Sequence, residues 1–314
     1  MQYQKIGIVG CGNVGAALAY TVVQSGMFSE VVLIDKDEEK ARGEVMDLSH
    51  CLPFVAPMFI YQGTYEKLCD AGIVVITAGV GQVDGEDRLA LAEKNVRIIH
   101  DIVLRITEVN RDCIILIVTN PVDVLSYEAY RISGLAPGRV IGSGTVLDSG
   151  RLKYMVGERL RVDSRNVHTF IIGEHGDSEL AVWSSANISG IDLDDYLEMC
   201  GGRLSDLYSM YESVVDSAYE IIRGKGATCY GISQAVMRIV RSIVRDENTV
   251  LPVSTLVTGH YGLEDVYLSV PCVIGKGGVK QVLDIPLNDD EMTRLHRSAE
   301  QLRVVLDQVS LAMV

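Results

Sequence analysis

A glycine-rich turn between a predicted strand and a predicted helix lies at the start of the chain. The predicted strand Lys5–Val9, apolar after its first residue, leads directly into the segment Gly10-Cys11-Gly12-Asn13-Val14-Gly15, which has GxGxxG spacing. A second apolar run, Val31–Ile34, ends on Asp35, twenty residues after the last glycine. Glycines at this spacing after a strand, followed by an acid at this distance, are typical of a βαβ unit that binds a dinucleotide.

The residues of this turn predict how the dinucleotide is held. Gly10 permits the tight turn, Gly12 lets the backbone approach the pyrophosphate, and Gly15 lets helix and strand pack closely. Asn13 and Val14 open the helix, which directs unpaired N–H groups and the positive end of its dipole at the phosphates. We therefore expect all five residues to contact the cofactor.

The acid after the second strand distinguishes between the two common dinucleotides. The Asp35 carboxylate would accept hydrogen bonds from the ribose hydroxyls of adenosine and would repel a 2′-phosphate. The neighbouring Lys36 works against that repulsion. The pattern favours NAD over NADP as the cofactor, and a chance glycine turn in an ordinary α/β protein is the alternative.

Composition and charge exclude several classes of partner. The chain has 314 residues and 48% hydrophobic content, and its apolar runs are strand-sized, too short to span a membrane. The formal charge of −14 argues against nucleic acid and requires arginines at the site of any anionic substrate. The seven cysteines show no C-x-x-C spacing, which predicts reduced thiols and no metal site. Because the chain starts directly in a strand, without a signal segment, we expect a cytoplasmic protein.

Strands that alternate with helices predict a parallel sheet in the first half of the chain. Helical patterns separate apolar, buried-type strands, which we place at Gly72–Thr77, Cys113–Thr119 and Val140–Gly142. We expect an α/β protein with a Rossmann doubly wound parallel sheet over residues 1–144. A mixed α+β substrate or catalytic domain is expected over residues 145–314.

The second half lacks the regular alternation of strand and helix. The apolar run Val167–Gly173 predicts one strand that leads into Glu174-His175-Gly176-Asp177. The last helix is predicted to begin at Asn288, since Glu291 three residues later completes a variant of the capping box.

Loops at the carboxyl ends of the strands carry the residues that could do chemistry. Gly79–Arg88 contains three glycines and one arginine at its helix-entry end, the composition of a mobile lid. Asp148 and Arg151 follow another strand, and His175 lies in a turn bounded by glycines. Reduction of a 2-keto acid by hydride needs a proton donor, a cation that polarises the carbonyl and a bidentate cation for the carboxylate. A histidine, a carboxylate and two arginines match those needs.

The spacing alone leaves these assignments open. Glu174, Asp177 or Asp148 could orient the ring of His175. Asp148 could equally cap a helix, and the two arginines could belong to solvated helix faces. The residues themselves therefore predict a nicotinamide oxidoreductase with an acid–base site, and no more.

The chain as a whole resembles the L-lactate/malate dehydrogenase family. The resemblance runs from Lys5 to the terminal helix, and it rests on the ordered segments GCGNVG…LID, ITAG…GEDRL, VTNPVD, IGSGTVLDSGRLKY, IIGEHGDSE, VSTLVTGHYG and VPCVIGKGG. It implies that His175 donates and accepts the proton, and that Asp148 orients the ring and stabilises the imidazolium. It also implies that Arg88 polarises the substrate carbonyl when the lid closes.

The resemblance assigns binding residues as well. It implies that Arg151 forks onto the substrate carboxylate, that Asn120 places the carbonyl or the nicotinamide, and that Gly79 contacts the cofactor. Malate enzymes of the family carry arginine at the lid position that Gln82 matches, because a second substrate carboxylate must be neutralised in a closed site. Gln82 therefore favours pyruvate and L-lactate, as does Thr228, where malate enzymes usually carry a smaller residue.

Three alternatives to this substrate assignment stay open. Malate and oxaloacetate are the first, and a broader range of L-2-hydroxy acids is the second. The third is a structural or sensing protein that binds NAD without catalysis. The presence of His175, Asp148, Arg88 and Arg151 in one chain argues against it.

The resemblance is to the bacterial branch of the family, since the chain lacks the N-terminal arm of vertebrate-type enzymes. That branch implies a homotetramer, fructose 1,6-bisphosphate as an activator, and a place in fermentative glycolysis. In such enzymes an arginine and a histidine from neighbouring subunits line the phosphate site. His168 matches the histidine, but Lys153 occupies the arginine position, so the charge is kept and the bidentate fork is lost. The alternative is that both residues only form a subunit contact.

Overall fold

The computed structural model describes residues 4–81 and 88–312. Strands and helices alternate in its first half. The strands are β1 (Lys5–Val9), β2 (Glu30–Ile34), β3 (Phe59–Gln62), β4 (Ile73–Ile76), β5 (Ile114–Ile117) and β6 (Val140–Gly142). The helices are α1 (Asn13–Ser25), α2 (Glu38–Ser49), α3 (Arg88–Val109) and α4 (Val122–Ser133). The six strands are parallel in the order β3-β2-β1-β4-β5-β6, which confirms the predicted Rossmann sheet.

The central strands are almost entirely apolar, with Lys5 at the start of β1 as an exception, because helices cover both faces of the sheet. Every residue of β1, β4 and β5 is buried. A strand with one face in water would alternate polar and apolar residues instead. The parallel sheet is therefore the core of the first half, and its carboxyl edge carries the loops that the sequence singles out.

The second half contains mixed elements. Its helices are α5 (Val146–Leu160), α6 (Leu193–Cys200), α7 (Leu204–Lys225), α8 (Tyr230–Arg245) and α9 (Asp289–Ala312). Its short strands are β7 (Val167–His168), β8 (Ile171–Ile172), β9 (Leu180–Ala181), β10 (Asn187–Ile188) and β11 (Ile191–Asp192). Its longer strands are β12 (Thr249–Val257), β13 (Val266–Gly275) and β14 (Gly278–Val282). Within the described ranges, no helix has both the length and the apolar character needed to cross a bilayer.

The long strands of the second half extend the Rossmann sheet. β12 pairs antiparallel with β6 through Ser254 and Gly142, and β13 and β14 follow in antiparallel order. One sheet therefore runs through both halves of the chain. The result is an α/β Rossmann unit joined to an α+β unit by continuous strand pairing.

The prediction of one strand over Val167–Gly173 is wrong. The structure divides the run into β7, which pairs with β10, and β8, which pairs with β9. Between them Thr169 Oγ1 donates to the carbonyl of Val182 at 2.8 Å, and Val182 N donates to the carbonyl of Phe170 at 2.8 Å. An apolar run shows that its residues are buried, but it does not show where the pairing partner changes.

The predicted capping box at the start of the last helix is confirmed. Asn288 Oδ1 accepts the N–H of Glu291 at 2.9 Å, and the Glu291 carboxylate accepts the N–H of Asn288 at 3.0 Å. Glu291 Oε1 also accepts the backbone N–H groups of Trp183 and Ser184 at 2.8 and 3.0 Å. The buried carboxylate thus fixes α9 to the segment after β9.

Candidate active site

The glycine turn has the shape that a dinucleotide requires. Gly10 has φ +104°, and a Cβ there would lie 2.5 Å from the backbone N of Ala78. A Cβ at Gly15 would overlap the carbonyl oxygen of Gly10. A Cβ at Gly12 would meet nothing within 4 Å. The fold itself therefore requires the first and third glycines, whereas the second leaves open space in front of α1 for a phosphate.

The acid after β2 lies against the same turn. Asp35 Oδ2 accepts the N–H of Cys11 at 2.5 Å, and Oδ1 accepts the N–H of Asp37 at 2.9 Å. Asn13 is exposed and Val14 half-buried in the first turn of α1, beside the open space. The N–H groups at the start of α1 and the Asp35 carboxylate are therefore close together, and their chemistry fits the phosphates and ribose of NAD.

A buried amide that the sequence did not reveal joins the loops after β4 and β5. Asn95 Nδ2 donates to the carbonyls of Val80 and Asn120 at 3.1 and 2.8 Å, and its Oδ1 accepts the N–H of Val80 at 2.8 Å. A Cβ at Gly79 would overlap the methyl group of Thr119. The only signal in the sequence was a polar residue on the apolar face of α3. Asn95 holds the first residues of the lid beside Asn120.

Part of the predicted lid, including Gln82, lies outside the described residues. The backbone of Arg88 begins α3, but its side chain also lies outside what is described. Their assigned roles stay predictions.

The histidine, one carboxylate and one arginine form a continuous chain of contacts. Asp148 Oδ2 lies 2.8 Å from His175 Nδ1, and Asp148 Oδ1 lies 2.9 Å from Arg151 Nη1. Asp148 and Arg151 are three residues apart on α5, so both project from one face of the helix. The Asp148 side chain is 4% exposed and that of His175 is 26% exposed. Of the three acids left open by the sequence, Asp148 is the one in contact with the imidazole, whereas Glu174 contacts Ser178.

The charges around the imidazole favour its protonated form. Burial alone would lower the pKa of His175, but the Asp148 carboxylate outweighs it, with Glu179 and Asp123 adding to the effect. The pKa of His175 rises to about 9. Burial likewise opposes ionisation of Asp148, yet the His175 charge and the Arg151 guanidinium hold the pKa of Asp148 below its usual value. At neutral pH the pair is therefore an imidazolium held by a carboxylate.

A second acid near the imidazole, Glu179, was also missed in the sequence. Donor atoms of Asp148, His175 and Glu179 lie within 4.8 Å of one another, a set that could hold a metal ion. Arg151 already supplies a positive charge to the Asp148 carboxylate. Burial raises the pKa of Glu179 to about 8, and the Asp148 charge adds to the rise. Glu179 is therefore harder to ionise than an exposed glutamate.

The backbone that carries the histidine is fixed at three successive residues. Gly173 and Ser269 exchange two backbone hydrogen bonds of 2.9 Å. Glu174 N donates to Ser298 Oγ at 2.8 Å, and His175 N donates to Asp123 Oδ2 at 2.8 Å. In the sequence Asp123 stood out only as part of the VTNPVD segment, and nothing pointed to Ser269 or Ser298. These contacts come from β13, α9 and α4, so they depend on the tertiary fold.

Three further predicted residues lie around this centre. Thr228 is half-buried between α7 and α8, and both helices pack against α5, which carries Asp148. Lys153 Nζ lies 5.4 Å from the ring centre of Phe170, and burial lowers the pKa of Lys153. His168 is exposed at the end of β7. Lys153 of α5 therefore lies close to the segment that carries His168.

Both halves of the chain match models of one known protein family. A family model for the lactate/malate dehydrogenase NAD binding domain matches residues 4–142. A second, for the lactate/malate dehydrogenase alpha/beta C-terminal domain, matches residues 145–312.

Individual relatives are similar over nearly their full length. The L-lactate dehydrogenase of Acetivibrio thermocellus is 49% identical over 305 residues, 96% of each chain. An L-lactate dehydrogenase of Clostridium botulinum is 49% identical over 308 residues, 98% of this chain and 97% of the relative.

Solved structures of similar proteins have the same fold. A lactate dehydrogenase from a Medee basin deep-sea metagenome library superposes with a TM-score of 0.96 at 46% identity, covering 99% of this chain and 100% of that one. The minor L-lactate dehydrogenase of Enterococcus mundtii, in a ligand-bound form, gives 0.95 at 40% identity, covering 98% and 99%. The glycine turn, the Asp148–His175–Arg151 contacts and these matches agree, and the chain belongs to the lactate/malate dehydrogenase family.

Proposed function

We propose that this chain is an NAD-dependent L-lactate dehydrogenase, which interconverts pyruvate and L-lactate in fermentative glycolysis. The observation that carries the proposal is the buried Asp148 carboxylate, which contacts His175 at 2.8 Å and Arg151 at 2.9 Å. One side chain thereby positions both a proton donor and a fork for a carboxylate. The curated relatives at 49% identity bear the same function in their names.

In the proposed reaction, His175 and Asp148 carry out the proton transfer and Arg151 binds the substrate. NADH, when bound, supplies the hydride to the carbonyl carbon of the substrate. The His175 imidazolium gives its proton to the carbonyl oxygen, and the Asp148 carboxylate stabilises the charge before transfer and keeps the ring in place. The Arg151 guanidinium binds the substrate carboxylate. In the reverse direction, neutral His175 takes the hydroxyl proton of L-lactate.

The remaining site residues have supporting roles in this proposal. We infer that Arg88 polarises the carbonyl, that Asn120 places it, and that Thr228 borders the substrate beside α5. We infer that Gln82 selects pyruvate, because an uncharged amide cannot neutralise the second carboxylate of oxaloacetate. Cofactor contacts are assigned to Gly10, Gly12, Asn13, Val14, Gly15, Asp35, Gly79 and Asn120.

We also propose a cytoplasmic homotetramer that fructose 1,6-bisphosphate activates through Lys153 and His168. All seven cysteines are free thiols, as expected in a reducing compartment. Lys153 Nζ lies 5.4 Å from the ring centre of Phe170, two residues after His168, which supports a shared phosphate site. A single ammonium lacks the guanidinium fork, so we expect weaker binding of the activator than an arginine would give.

Turnover of two substrates tests the function directly. NADH oxidation is followed with pyruvate and with oxaloacetate, and the handedness of the lactate formed is determined. We expect kcat/KM to favour pyruvate by at least about 100-fold, since an unpaired buried carboxylate costs several kcal/mol. We expect Gln82→Arg to move the preference toward oxaloacetate. A wild-type preference for oxaloacetate would identify a malate dehydrogenase, and NADH binding without turnover of either acid would identify a non-enzymatic NAD-binding protein.

A further inference from the structure

A buried carboxylate outside the Asp148 pair contacts the catalytic histidine through the backbone. Asp123 lies in the first turn of α4, directly after the loop that carries Asn120, and it is 2% exposed. Its Oδ2 accepts the backbone N–H of His175 at 2.8 Å, across 52 positions of sequence. Asp123 and Asp148 therefore hold the same residue at two different atoms.

The surroundings of Asp123 form a small polar region inside an apolar core. Burial raises the pKa of Asp123 to about 6, against the opposing effects of the Ser254 hydroxyl and the N–H of His175. Within the part of the chain that the structure describes, Asp123 Oδ1 and the hydroxyls of Ser126 and Ser254 are buried without a hydrogen bond of good geometry. At neutral pH the carboxylate is thus mainly ionised, inside protein, beside the reaction centre.

A glycine in the neighbouring strand makes room for this region. A Cβ at Gly142 of β6 would lie 2.5 Å from Ser126 Oγ and 2.7 Å from the Cβ of Ser254. Burial of an ionised carboxylate without a full set of partners is unfavourable, and an apolar side chain of similar size would avoid that cost. The cost is compensated if the charge acts on the neighbouring histidine.

We propose that Asp123 is a positioning residue for the proton transfer: its carboxylate fixes the backbone of His175 and stabilises the imidazolium, while Asp148 fixes the ring. The inference rests on the proposed function, in which His175 moves the proton. Charged or titratable groups from three segments face His175. They are Asp148 and Arg151 from α5, Asp123 from α4, and Glu179, the residue before β9.

Two substitutions separate the charge of Asp123 from its hydrogen bond. Asp123→Asn keeps an oxygen that can accept the His175 N–H but removes the charge. Asp123→Leu removes both and leaves a buried N–H without a partner. Ser126→Ala, in the same polar region but without a bond to His175, is the matched control. The measurements are kcat and KM for pyruvate, the Kd for NADH, and the ring titration of His175 by NMR with 13C-labelled histidine, assigned with His175→Asn.

We expect Asp123→Asn to move the midpoint of the His175 titration to lower pH by at least about 0.5, because one stabilising charge is lost. We expect Asp123→Leu to lower kcat by about 100-fold, because the imidazole is misplaced, while Kd for NADH changes less than about twofold. Ser126→Ala should match the wild type in every measurement.

An unchanged titration midpoint in Asp123→Asn would overturn the proposal, and so would wild-type kcat in a folded Asp123→Leu. If the leucine variant does not fold, the asparagine titration decides the question alone. The titration and the NADH affinity do not depend on turnover. A wild-type protein that fails to reduce pyruvate would therefore refute the proposed function and still leave the role of Asp123 measurable.

Discussion

At the scale of single residues, several carboxyl groups lie close to one imidazole, that of His175. The Asp148 carboxylate lies 2.8 Å from the ring, and the Asp123 carboxylate lies 2.8 Å from the backbone N of the same residue. Together with Glu179 they outweigh the burial that would otherwise lower the pKa of His175. A histidine with a pKa of about 9 stores a proton at neutral pH, which is the state that ketone reduction needs.

Substitution of the ring partner tests this arrangement. In Asp148→Asn the amide is similar in shape but uncharged, so the imidazolium loses its main stabilising charge. We expect kcat/KM for pyruvate at neutral pH to fall by about 100-fold or more, and its decline at high pH to begin at lower pH. Asp163→Asn, an exposed acid that pairs with Arg165, is the control and should leave both unchanged. Wild-type kcat/KM in Asp148→Asn would refute the role given to this carboxylate.

At the scale of elements, the glycines of the β1–α1 turn have two different roles. Gly10 and Gly15 are required by the fold, whereas Gly12 is expected to be required by the cofactor. A Cβ at Gly15 would overlap the Gly10 carbonyl and lie 2.8 Å from Thr77 Oγ1, whereas a Cβ at Gly12 would lie in open space. Three alanine substitutions exploit the difference. Gly43, on α2, also has open space around it, so its substitution is the control for an added methyl group.

We expect Gly15→Ala to lower the free energy of unfolding by about 1–3 kcal/mol through overpacking. Gly12→Ala should unfold like the wild type without cofactor, yet bind NADH at least about tenfold more weakly, because its methyl group occupies the path of the pyrophosphate. Gly43→Ala should raise the free energy of unfolding by about 0.5–1 kcal/mol without changing NADH affinity. Thermal unfolding and titration with NADH measure both effects. Equal NADH affinity in Gly12→Ala and the wild type would contradict the assignment of the turn.

Elements whose signals are local in sequence could be predicted, and those that depend on tertiary pairing could not. The glycine turn, the apolar runs of the buried strands and the Asn288–Glu291 capping box each have a signal within a few positions of sequence. The division of Val167–Gly173 into β7 and β8 depends on strands further along the chain. The hydrogen-bond partners of the turn that carries His175 are likewise distant in sequence. His175 N donates to Asp123, 52 positions away, and Glu174 N donates to Ser298, 124 positions away.

At the scale of the whole molecule, the surface carries large apolar side chains that suggest association. Phe54 is 87% exposed, Met199 74% and Tyr230 73%. Isolated apolar residues are normal on a monomer, but a proposed homotetramer would bury some of them. The activator site proposed at Lys153 and His168 belongs to the same assembly, because neighbouring subunits contribute to it in the family branch that the sequence resembles.

Sedimentation and kinetics test the assembly together. We expect a species of four chains of 34.3 kDa, and a lower apparent KM for pyruvate when fructose 1,6-bisphosphate is added. Lys153→Ala and His168→Ala should each abolish the effect of the activator, because the bisphosphate loses a cationic partner. An activator that changes neither the apparent KM nor the tetramer population would refute the allosteric proposal.

The pH dependence of kcat/KM in both directions tests the central claim, that His175 carries the proton. The imidazolium is populated below a pKa of about 9 and the neutral ring above it. Between about pH 6 and about pH 10, kcat/KM for pyruvate should therefore stay level and then fall near pH 9. That for L-lactate should rise and level off near the same pH. Profiles that change in the same direction, or a midpoint that survives His175→Asn, would contradict the account.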